Sequence, residues 1–143
     1  MVTPDAVEKC VRARWGAVAS AASAVPGGLW FGRRPADTGS PYATFALTFG
    51  DFRFHGTAKY IQPVTLGVAV WVDVGKTGHD VAAVQAALDE AFTSKHRSMS
   101  VTGGTVLVCK PAPWSEALED RLRSGLDVSV TRAAWRLVLE GTR

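Results

Sequence analysis

Residues 64–74 constrain the fold more than any other segment. Val64, Leu66, Val68, Val70, Val72 and Val74 occupy every even position, while Thr65, Gly67, Ala69, Trp71 and Asp73 occupy the odd ones. Strict alternation of this kind is the period of a β-strand, whose side chains point to opposite faces in turn. Six aligned aliphatic side chains cannot be left in water, so that face must be covered by helices. The strand is about eleven residues long, which suits the centre of a sheet.

Other segments fit around it. Residues 42–49 also alternate, with Ala43, Phe45, Leu47 and Phe49 on one side. The apolar set then shifts parity at Gly50-Asp51 to Phe52 and Phe54, which marks a bulge or turn. Residues 4–24 read as a helix capped by Thr3, with Pro4 in its first turn and Val7, Val11, Val18 and Ala22 on one face. A second helix is expected over 79–93, with Thr77 as cap and Val81, Val84, Leu88, Ala91 and Phe92 as its apolar stripe. Residues 29–40 read as a loop or short extended piece, and 94–104 as a polar, flexible loop. Thr105 to Lys110 is a short strand, and 111–126 is irregular apart from a helical turn over 115–123. The last strand, 127–140, changes parity between Val130 and Ala133, so a bulge is expected near Thr131 to Ala134. No repeat or linker divides residues 1–143, which read as a single α+β domain. Its expected form is a sandwich: a mostly antiparallel sheet with two helices on one face.

Composition excludes several classes. Apolar residues are 47% and charged residues 20% of the chain, as in ordinary globular proteins. The net charge of +3 is mild, and the basic residues are scattered in sequence, so a dedicated duplex-DNA binder is not indicated. No apolar export segment or membrane-spanning helix is visible, so folding in the cytosol is the expectation. Cys10 and Cys109 belong to no CxxC pair and read as buried, reduced thiols.

Catalytic and cofactor signatures are weak. Gly75-Lys76-Thr77 sits between strand and helix, but Val70 stands where a phosphate-binding loop needs glycine. His55, His79 and His96 lack metal-ligand spacing, and no GxSxG motif is present. No cofactor, metal or catalytic residue is therefore assigned, and the chain is not expected to be an enzyme.

The five large tryptophans serve cores and interfaces equally well. Trp71 projects from its strand opposite the aliphatic face, where it meets either a partner subunit or a covering loop such as 29–35. Trp30, Arg33 and Arg34 join Trp71 as candidate interface residues.

The whole-chain pattern resembles the small tail-terminator, or tail-completion, proteins of long-tailed bacteriophages and prophages. The likeness rests on a leading helix ending at Val25-Pro26-Gly27 and a strand opened by Pro41-Tyr42. It continues through Gly56 to Tyr60 before the long aliphatic strand, the helix VAAVQAALDEAF, and Gly125 to Val128 leading to a closing strand with Trp135. The resemblance implies a virion tail protein made in the bacterial cytoplasm, with no catalytic residues. It implies a homo-oligomeric ring, typically a hexamer, that caps the tail tube, stops its polymerisation and docks to the head connector. DNA would pass through the lumen. A head–tail connector component is one alternative, and a small-ligand-binding α+β domain is another.

Overall fold

The computed structural model describes residues 1–33, 39–73, 80–122 and 127–142. It is an α+β fold built on a seven-stranded mixed sheet. Helices α1 (Pro4–Gly16) and α2 (Ala19–Ala24) lead into β1 (Leu29–Phe31), β2 (Tyr42–Phe49), β3 (Arg53–His55) and β4 (Lys59–Asp73). Helix α3 (Val81–Phe92) and a single 3-10 turn, His96–Ser98, precede β5 (Ser100–Val101) and β6 (Gly104–Ala112). Helix α4 (Glu116–Leu122) and β7 (Asp127–Thr142) complete the chain. The strand order is β1-β2-β4-β7-β6-β5, with β3 also on β4. Among the described residues, β1 and β2 run parallel and the other pairings are antiparallel.

The long aliphatic strand is central. β4 pairs along its length with β7 on one edge, and with β2 and then β3 on the other. Val64, Leu66, Val68 and Val70 face a core shared with α1, α2 and α3. Each such side chain, fully removed from water, contributes roughly 1.5–3 kcal/mol. Trp15, Phe92 and Trp135 form a row of rings through this core, with centroids 6.3 and 5.0 Å apart. Arg14 ties α1 to the end of α3: its Nε donates to the Ala91 carbonyl at 2.6 Å and its Nη2 to that of Glu90 at 2.9 Å. Those carbonyls have no partner within the helix, and a cation favours that end of its dipole.

Several boundaries differ from expectation. The leading helix breaks after Gly16, and the new phase of α2 buries Ala21, leaving Ala22 exposed. Helix α3 is capped by Asp80, whose carboxylate accepts from the Ala83 amide at 3.1 Å; Thr77 lies outside the described residues. Val81, assigned to the buried stripe by spacing, is exposed at the first turn. The 94–104 segment is more ordered than its polar composition suggests, because Met99 and Val101 are anchors in the main core. The bulge in β7 falls at Val130, where Val70 pairs with Thr131 and Trp71 with Ser129.

The two-helix sandwich needs a larger correction. Three helices cover the first face, and α4 covers part of the second. Gly67 makes that possible: a Cβ there would lie 2.7 Å from a Leu118 methyl. The missing side chain lets α4 settle directly on β4. None of the described helices is long and apolar enough to cross a membrane.

Candidate subunit interface

The four residues singled out for an interface separate in the structure. Trp71 is 4% exposed and belongs to a second, smaller core with Tyr42, Ala69, Leu118 and Leu122. Its indole Nε1 donates to Thr44 Oγ1 at 2.9 Å, so its polar edge is satisfied internally. This corrects its assignment to a surface contact: the cover is mainly α4, with β1 contributing Trp30. Trp30 is half-buried against the same cluster and donates through Nε1 to the Gly27 carbonyl at 2.8 Å. Arg33 is exposed just after β1, with its backbone N–H bonded to the Phe31 carbonyl at 2.9 Å. Arg34 lies outside the described residues.

Helix α4 is held by short links rather than by a large apolar area. Ser115 Oγ accepts from the Leu118 amide at 3.3 Å as a cap. Glu119 accepts a hydrogen bond from Trp114 Nε1 at 2.9 Å and pairs with Arg132 of β7 at 3.2 Å. Arg121 donates to the Leu47 carbonyl at 2.6 Å.

The structure brings forward residues that the sequence did not single out. Phe31 on β1 is 44% exposed and meets Phe45 edge to face at 5.2 Å. β1 is three residues long and forms the outer edge of the sheet. At the β3–β4 hairpin, Phe52 and Phe54 are 42% and 49% exposed and lean on Tyr60, with centroids 5.0 and 6.2 Å from its ring. Tyr60 is itself buried and accepts a bond from the Val2 amide at 2.7 Å. The parity shift at Gly50 was the one signal for this patch: it put Phe52 and Phe54 outside the β2 register.

Among the described residues, the second sheet face is covered at one end. Beyond α4 it presents Ile61, Pro63, Val108 and Val138, all partly exposed. Between α3 and the β6–β7 edge runs a groove of about 340 Å³, lined in part by Gln85, Asp89, Thr93, Thr131 and Trp135. Trp135 Nε1 donates to Thr93 Oγ1 there at 3.1 Å, while the buried Thr131 hydroxyl has no partner among the described residues.

Chemistry-bearing residues do not gather. Among the described residues, no three His, Cys, Asp or Glu side chains are placed to hold a metal. Cys10 and Cys109 are free and buried. Burial pushes the Cys10 thiol up to about 11 and that of Cys109 up to about 12, the latter helped by the neighbouring Cys10. Thiols held neutral in this way are poor nucleophiles. No known family model matches the sequence, and no curated protein is similar to it.

Proposed function

We propose that the chain is a structural subunit of a phage or prophage tail, forming a ring that caps the tail tube and joins it to the head connector. The observation that carries this reading is the exposure of Phe31 on β1, of Phe54 on β3 and of Phe52 just before β3. Exposed large aromatic side chains that lie close together favour association. Protein contacts are built around such anchors. The likeness to tail-terminator proteins supplies the particular assembly, a hexameric ring in the virion. A head–tail connector subunit uses the same surfaces and differs in where the ring docks.

Light scattering over a concentration series, with negative-stain images, tests this reading. It should be run with and without preformed tail tubes. A closed ring with a central hole, or rings seated on tube ends, is the expected result. A monomer under every condition would sink it. A second reading, small-ligand binding, is favoured by the α3–β7 groove, which Gln85, Asp89 and Thr93 help to line with polar groups. It predicts a stoichiometric small molecule in native mass spectra of the purified chain.

A further inference from the structure

The basic residues are scattered in sequence, but strand register gathers four of them. On β3 and β4, Arg53 pairs with Ile61, and Lys59 lies two residues before Ile61 on the same face. On β7, Arg136 lies between Thr65 of β4 and Lys110 of β6. All four cations therefore border the half-sheet that α4 leaves open. Lys110 and Arg136 are direct cross-strand neighbours, both exposed, and neither has a hydrogen bond or ion pair among the described residues. Like charges placed opposite one another in a sheet are unfavourable until an anion joins them. The acidic residue placed on this half by register is Glu140, which His55 approaches at 3.8 Å.

The chain carries the complementary surface on its other side. Helix α3 contains no basic residue from Val81 to Phe92. Its outer positions are Val81, Ala82, Gln85, Ala86 and Asp89, all exposed, and Asp80 caps its start. This is an alanine-rich surface with Asp80 at its start and Asp89 on its last turns, where Arg14 of α1 also sits on the final carbonyls. The open half-sheet is an aliphatic surface with a basic border. Their lengths agree as well. A helix of 12 residues is roughly 18 Å long, and Lys59 to Thr65 of β4 spans roughly 20 Å.

We infer that α3 of one copy docks on the open β3-β4-β7-β6 face of the next, beside that copy's α4. The inference rests on the ring reading and names its contact. The two patches lie on opposite faces of one sheet, so the contact is heterologous; such contacts propagate into rings when the rotation closes. The aliphatic centre favours a protein occupant over nucleic acid, since a phosphate backbone offers it nothing apolar. Nor does this half carry a Phe, Tyr or Trp among the described residues on which bases would stack.

Charge exchange tests the pairing. One full-length variant carries Lys110→Glu with Arg136→Glu, and the other carries Gln85→Lys with Asp89→Lys. All four positions are exposed, so both variants should melt with the wild type. If the reversed pair melts early, Lys110→Gln with Arg136→Gln replaces it in the single-variant comparison, and the mixing arm uses Lys110→Glu alone. Each variant alone should need roughly tenfold or more protein to assemble, and an equimolar mixture should assemble as the wild type does. The wild-type assembly should weaken as salt rises. Rings formed equally well by both variants alone would overturn this contact and leave the ring reading standing. Open chains restored by mixing would uphold the contact and refute the ring. A wild type that stays monomeric even with tubes would refute both. If Lys110→Glu with Arg136→Glu abolished binding to duplex DNA and left assembly untouched, the face would belong to a polyanion and the inference would fall.

Discussion

Replacing Trp71 separates its core role from the surface role that its strand position suggests. The side chain is buried under α4, and its Nε1 proton goes to Thr44, a residue also buried. Trp71→Ala removes the largest member of the smaller core, and truncations of this kind cost about 3–5 kcal/mol. The hydrogen bond itself can be isolated. Trp71→Phe keeps a ring but leaves the Thr44 hydroxyl without a donor, while Thr44→Val leaves the indole N–H without an acceptor. Each should cost about 1–3 kcal/mol from the stranded group, with a cavity term added for the smaller ring. The double variant strands neither group, so it should be about 1–2 kcal/mol more stable than the two single losses summed. Urea unfolding followed by circular dichroism supplies all three differences without relying on tryptophan fluorescence. Additive single losses would mean that the bond does not form. If Trp71→Ala cost under about 1 kcal/mol but abolished assembly, Trp71 would be an interface residue after all.

Three other changes probe the same architecture. Gly67→Val should destabilise by about 1–3 kcal/mol in chemical unfolding, because the new side chain meets Leu118 and lifts α4; Gly67→Ala should lie between it and the wild type. Asp80→Ala should cost about 1 kcal/mol, read in the same assay, by removing the α3 cap, and Asp80→Ser should restore most of it. The thiols predict a pH effect with a definite sign. Their folded values, about 11 and about 12, lie above the ordinary 9.0, so their stabilisation is complete below pH 9 and is lost as pH rises from 9 towards those values. Each thiol adds up to about 1.4 kcal/mol per pH unit to that decline, and Cys10→Ala with Cys109→Ala should flatten it in melts between pH 8 and 11. A thiol reagent at pH 8 should label both cysteines only on the unfolding timescale.

The sheet was legible in the sequence where one face alone had to be dry. The even positions of 64–70 and the odd positions of 43–47 meet in one core, and alternation marks them because the opposite positions are small, polar or aromatic. The limits of this signal are equally physical. Alternation reports that a side chain faces away from the main core, and it does not report whether a further element lies there. Trp71 illustrates the ambiguity, since its cover is a seven-residue helix whose apolar contribution is mostly Leu118 and Leu122. Two such residues in a seven-residue helix suggest a helical turn but do not say which surface it covers. The clue was Gly67, which interrupts the strand's side chains where α4 approaches.

Charge placement was the least legible feature, and the most informative once register was known. Lys59, Lys110 and Arg136 are far apart in the chain, and their local surroundings resemble any solvated positions. A shift of one residue in either strand pairing would send Lys110 or Arg136 to the opposite face, towards the helices. The Leu107 irregularity in β6 helps set this outcome: Val106 pairs with Leu139 and Val108 with Val138, which restores Cys109 to the core and leaves Lys110 opposite Arg136. Burial of Cys109 and Leu137 thus determines where both cations stand. The basic border of the open half-sheet is a by-product of core packing, yet its like-charged pair would be easy to remove by substitution at two exposed sites. Under the docking proposed above, an acidic neighbour would offset the repulsion between the two cations.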